Sequence, residues 1–153
     1  MNSLQIINNS LPAMSEESID KVCHLESESK KLPQIEINTS HIIHGGMYAR
    51  TILLPANTLL TGALIKIATL LIVQGDVIVY IGDDIIELSG YNVLPAQAHR
   101  KQAFTARTDT YMTMIFPSTA KNIKIAESEF TDEADMLLSR KHCSYNQIII
   151  TGI

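Results

Sequence analysis

Between Met47 and Phe116 the sequence is a train of short, apolar, β-branched segments, cut at close intervals by turn residues. Tyr48–Leu54 stops at Pro55, Leu64–Val73 at Gln74-Gly75-Asp76, and Val77–Ile81 at Gly82-Asp83-Asp84. Ile85–Leu88 stops at Ser89-Gly90 and Tyr91–Leu94 at Pro95, and Lys101–Ala106 and Tyr111–Phe116 complete the series. No spacer is long enough for a crossover helix, so the series predicts an all-β barrel or sandwich. Gln34–Asn38 alternates apolar Ile35 and Ile37 with polar Glu36 and Asn38, and reads as a first strand.

The flanks differ in character. Residues 1–14 are polar with scattered apolar anchors and read as an extended arm. Ser15 is a good N-cap, Glu16 and Glu17 suit the positive end of a helix dipole, and Ile19, Val22 and Cys23 form a helical stripe. An amphipathic helix over residues 15–29 follows, ended by Lys30-Lys31 before Pro33. Beyond Pro117, Thr131 with Asp132 and Glu133 marks the start of a second helix, and Arg140-Lys141 its end. Gln147–Ile153 is a terminal apolar strand that needs a partner, because a bare edge of that kind promotes association. The chain therefore divides into an arm and helix (1–32), a barrel (33–118), and a C-terminal helix and strand (119–153).

With 153 residues, 46% of them hydrophobic, the chain suits one domain with a real core. A net charge of −4 gives no general attraction to nucleic acid or to an anionic membrane. The two cysteines, Cys23 and Cys143, have no ligand-like spacing, which fits a reducing compartment. No basic segment precedes an apolar one at the start, so no leader is expected. The most apolar run, Ile52–Val73, is broken by Pro55, Asn57, Gly62 and Lys66, as strands and turns are and a membrane helix is not.

Few residues carry chemistry. His41 and His44 have a spacing that can serve a metal, but on a strand they point to opposite faces. The expectation is one barrel-facing and one surface histidine. Gly82-Asp83-Asp84 is a hairpin turn rather than an acid pair, and the acidic run from Glu127 to Asp135 reads as a solvated helix face. No nucleophile elbow or phosphate loop is present. What remains is cationic: Arg50, Lys66, His99, Arg100 and Lys101. If Lys66 and Arg100 both face inward they can hold a carboxylate or phosphate, with Tyr48 or Tyr91 stacking on a ring. Otherwise they reach solvent or pair with an acid such as Asp109.

Gly62, Gly75-Asp76, Gly90 and Pro95 resemble the glycine and proline positions of the two-motif core of the cupin superfamily. The pattern His44-Gly-Gly-Met-Tyr48-Ala-Arg50, Pro55, Gly62, Arg100, Asp109-Thr110 also resembles a family of small cupin-like bacteriophage and prophage proteins, over residues 33–140. The resemblance implies a mostly β protein: a single cupin-like jelly-roll barrel with flanking N- and C-terminal helices. A metal-binding cupin carries two histidines and a glutamate on its first motif and a histidine on its second. Here Ala63–Thr69 contains no His, Asp or Glu, and the second-motif place is matched best by Arg100, beside His99. No metal, cofactor or catalysis is therefore expected. The function implied is a non-catalytic, homo-oligomeric structural, assembly or accessory module with other phage proteins as partners, in the host cytoplasm or in a virion. The alternative is a binder of a small anionic, nucleotide-like ligand at Lys66, Arg100, His99, Arg50, Tyr48 and His44. A metal-dependent enzyme using His44 and His99 is a third reading.

Overall fold

Period-two alternation sorts the strand side chains into an inner and an outer set, and the inner set closes a two-sheet barrel. The computed structural model describes residues 10–141 and 146–152. Its elements in chain order are α1 (Glu16–Ser29), β1 (Thr39–His44), β2 (Met47–Leu54), β3 (Leu59–Thr61), β4 (Thr69–Gln74), β5 (Val77–Ile81) and β6 (Asp84–Leu88). There follow β7 (Tyr91–Ala96), β8 (Ala103–Ala106), β9 (Thr110–Pro117), α2 (Ile123–Phe130), a 3-10 turn (Ala134–Met136), α3 (Leu138–Lys141) and β10 (Asn146–Ile150).

One sheet runs β10-β1-β2-β9-β4-β7 and the other β3-β8-β5-β6. The chain passes between sheets so that β2-β9-β4-β7 faces β3-β8-β5-β6, which is the strand order of a double-sheet jelly roll. The protein is thus a mostly β jelly-roll barrel with helices at its flanks. β1 and β10 extend one sheet, and β10 pairs with β1 in parallel, Thr39 opposite Asn146. At the β4–β5 turn, Gly75 takes φ +147, and a Cβ there would come within 2.9 Å of the Thr110 backbone. Only glycine satisfies both conditions.

Three expectations about elements need correction. Leu64–Val73 is not one strand: Ile65 makes a lone bridge to Arg100, and regular pairing starts at Thr69. The Lys66 amide is drawn away to the Phe130 carbonyl at 2.8 Å. Gln34–Asn38 is irregular, since the Gln34 side chain folds back to the Ser29 and Leu32 carbonyls and the strand begins at Thr39. Thr131 caps no helix. Asn122 caps α2 by accepting from Ile125 N, while Thr131 Oγ1 accepts from Glu133 N and forms a turn. α1 and its Ser15 cap stand where expected. Of the arm, residues 1–9 lie outside the described residues; Leu11 is buried and bridges Ala96 on β7. Cys143 also lies outside them.

The core runs from the barrel to α2. Tyr48 meets Phe116 edge-on at 5.3 Å between centroids, and Phe116 meets Phe130 of α2 at 6.0 Å. This aromatic chain holds the C-terminal segment over one end of the barrel.

Candidate functional site

The space between the sheets is not filled. A cavity of about 210 Å³ lies there, walled by apolar side chains that include Ile52, Leu71, Phe104, Met112 and Met114. α1 contributes Glu26, and the stretch after α2 contributes Glu133 and Leu137. Five polar side chains of the barrel line this space: Thr39, Arg50, Thr61, Arg100 and Gln102.

Arg100 owes its inward position to the residue before it. His99 has φ +63, its amide donates to the Ile65 carbonyl at 2.8 Å, and its carbonyl accepts from Met14 N. This left-handed residue turns the chain so that His99 is left outside and Arg100 drops in. Arg100 is 2% exposed. Its Nη1 donates to the Gln97 carbonyl at 2.7 Å and to that of Ile67 at 3.3 Å, and its Nη2 donates to Thr69 Oγ1 at 2.8 Å. These partners are neutral, and among the described residues no carboxylate pairs with Arg100. Burial without an anion brings its pKa down to about 10. Gln102, close by in sequence, has a buried Nε2 with no hydrogen-bond partner. A buried amide without an acceptor is rare and costly.

The other cations are neutralised. Arg50 donates to Glu127 at 2.8 Å and to Ser139 Oγ at 3.0 Å, and lies over the Phe130 ring. Glu127 also accepts from Arg140 Nε at 3.0 Å and from Ser139 Oγ. Burial alone would raise the Glu127 carboxyl, but Ser139, Arg50 and Arg140 outweigh it and hold its pKa below the usual range. Lys101, also buried, bridges Glu26 and Glu133 at 3.2 Å each and so ties α1 to the stretch after α2.

The proposed Lys66–Arg100 clamp does not form. Lys66 points outward, its side chain 42% exposed, and pairs with Asp132 at 2.7 Å. In the irregular stretch from Leu64, Ile65 takes the cavity side instead. His99 pairs with Glu16 at the surface, and Asp109 accepts from Ala56 N rather than from a cation. Tyr48 is buried, yet its hydroxyl is engaged by His41 Nδ1 at 2.7 Å, and Tyr91 is exposed outside the barrel. His44 is exposed beside Thr151, while His41 is buried and bonded to Tyr48 and Asn146, so the pair does face opposite ways. Burial lowers the His41 pKa. The acidic run is not a uniform solvated face, since Glu127 is buried and Glu133 is bound to Lys101.

The cavity offers donors. No histidine or cysteine lines it, and its carboxylates Glu26 and Glu133 are held by Lys101. That set does not fit a divalent metal, which needs convergent imidazoles or carboxylates and would meet the Arg100 charge. Among the described residues, no group of three His, Cys, Asp or Glu is placed to hold an ion. No helix of the described residues is long and apolar enough to cross a membrane.

No family model matches the chain, and no curated protein matches it. Solved structures do. A cupin-2 domain protein from Shewanella frigidimarina has 12% identity and TM-score 0.44, covering 61% of this chain and 91% of its own. A cupin superfamily protein from Desulfitobacterium hafniense has 16% identity and TM-score 0.45, covering 72% and 96%. Ectoine synthase from P. lautus has 15% identity and TM-score 0.48, covering 65% and 76%. Such likeness speaks to no activity, and the fold assignment rests on the strand order.

Proposed function

We propose that this chain is a non-catalytic binding module whose barrel holds a small organic anion, a carboxylate with an apolar body. The observation that carries this reading is Arg100, a buried guanidinium that lines the cavity and, among the described residues, pairs with no carboxylate, since Glu26 and Glu133 are held by Lys101. Burying a charge unpaired is costly, and an anion in the cavity supplies the missing partner. Gln102 Nε2 supplies a donor to the same ligand, and the apolar walls take its carbon body. At about 30 Å³ per water-sized group, the cavity takes roughly seven such groups. One cation without a carboxylate partner, among the described residues lining the cavity, matches a single negative charge better than a nucleotide's phosphates, which narrows the ligand class expected from the sequence.

The test is a thermal-shift series with small monocarboxylates, benzoate and 4-methylpentanoate among them, set against the matching amides and alcohols. A ligand at a hundred times its dissociation constant adds about 2.7 kcal/mol, several degrees for a chain of this size. Stabilisation by acids and not by their neutral analogues supports the reading. No shift with any acid sinks it.

A second reading follows the resemblance to small phage-borne proteins: an assembly or accessory part of a particle. It is favoured by β10, which leaves one strand edge unpaired and Ile148, Ile149 and Ile150 exposed. Mass spectrometry of purified particles tests it, and absence of the chain from them removes it.

A further inference from the structure

The outer face of the six-stranded sheet raises a question separate from the cavity. Strand register sets Ile149, Ile42, Ala49, Ile115, Leu70 and Pro95 side by side in one row across all six strands. The neighbouring row reads Ser40, Thr51, Thr113, Ile72 and Val93. Charged residues are 18% of the chain, yet no outward position on these strands is Asp, Glu, Lys or Arg, and Arg50 points inward. Leu70 is 47% exposed, Val93 50% and Tyr111 52%.

A solvated sheet face in a monomer is ordinarily polar. Six strands at about 4.8 Å spacing, with about five residues in common, make a flat patch of roughly 500 Å² before side-chain relief is counted. That is in the range of the largest patches on monomers, and relief brings it toward the about 800 Å² per partner of a standard interface. Charge decides the occupant. The net charge of −4 sits on other surfaces and opposes contact between copies there, whereas this face meets itself with no like-charge contact. A partner recognised by charge has nothing to grip.

We propose that this face packs on the same face of a second copy across a twofold axis, sheet on sheet, with Ala49, Ile115 and Leu70 near the centre. The contact is isologous, so each row meets its own counterpart. It does not depend on what the cavity holds.

Sedimentation of the full chain at micromolar concentration tests this, with an expected mass of twice 16.9 kDa. Leu70→Lys and Thr113→Arg each set like charges against one another across the twofold, weakening association by roughly 100-fold or more. Both sites point outward, so circular dichroism should be unchanged, and Ile148→Lys, on the opposite side of β10, should leave the dimer intact. Oxidative footprinting of the unmutated chain adds a readout free of folding effects: Tyr91 and Tyr111 become protected as concentration rises. A 16.9 kDa particle throughout overturns the proposal. So does a dimer that survives both charged variants, or protection of the two tyrosines at every dilution, which would assign the face to another part of the same chain.

Discussion

Arg100→Met separates a binding residue from a structural one. Burial brings the Arg100 pKa down from the ordinary guanidinium value to about 10. At about 1.4 kcal/mol per unit, burial disfavours the charged form by roughly 3 kcal/mol, which methionine does not suffer. Against this stand the bonds to Gln97, Ile67 and Thr69. Hydrogen bonds to a charged group are worth about 1.5–3 kcal/mol each, although carbonyls facing a cavity recover part of that through water. Three such bonds come to about 4.5–9 kcal/mol before water recovers part of them, so they offset or exceed the burial penalty, and the unliganded variant should lose no more than about 4 kcal/mol in urea unfolding. Its response to small acids should vanish, because the one cation that lines the cavity without a carboxylate partner, among the described residues, is gone. Loss of more than about 4 kcal/mol would make Arg100 a structural brace. An undiminished acid-induced shift in the variant would remove it from the binding site.

Other outcomes follow from the same contacts. His41 is buried neutral with a lowered pKa, so the unfolded state takes up its proton first as pH falls. Stability should decline below about pH 6.5, and His41→Asn should flatten that slope in urea titrations at pH 7.5 and 5.5. Glu127→Gln takes from Arg50 its carboxylate partner and from Arg140 one of its carboxylate partners, and should cost about 3–5 kcal/mol in the same assay. Lys66→Ala removes an exposed pair with Asp132 and should change stability by less than about 1 kcal/mol, with acid binding untouched. A lost thermal shift in that variant would mean the wrong cation has been assigned.

Much of the barrel was legible because β-branched alternation between turn residues is a local signal. It located β2, β5, β6 and β9 within a residue or so of their ends. It cannot name neighbours, so the pairing of β4 with both β7 and β9 had to come from the structure. The site was legible only in part. Arg100 and Lys66 carry the same charge in sequence, and what separates them is a left-handed turn at His99 and an irregular stretch at Ile65. Gln102 gave no signal at all, since an amide near a strand reads as surface. Glu127 was hidden in an acidic run, and its partners Arg50 and Arg140 lie 77 and 13 residues away.

The parallel pairing of β1 with β10 bears on how the chain is made. Thr39 leaves the ribosome long before its partner Asn146. At about 5–20 residues per second, translation of the intervening chain takes on the order of ten seconds. Throughout that interval β1 presents the open edge that β10 will later occupy, beside other nascent chains on the same message. Strand β10, synthesised after the other strands of its sheet, therefore acts as the closing stitch, and slow translation between residues 44 and 146 prolongs the window in which a neighbour's β10 can take its place.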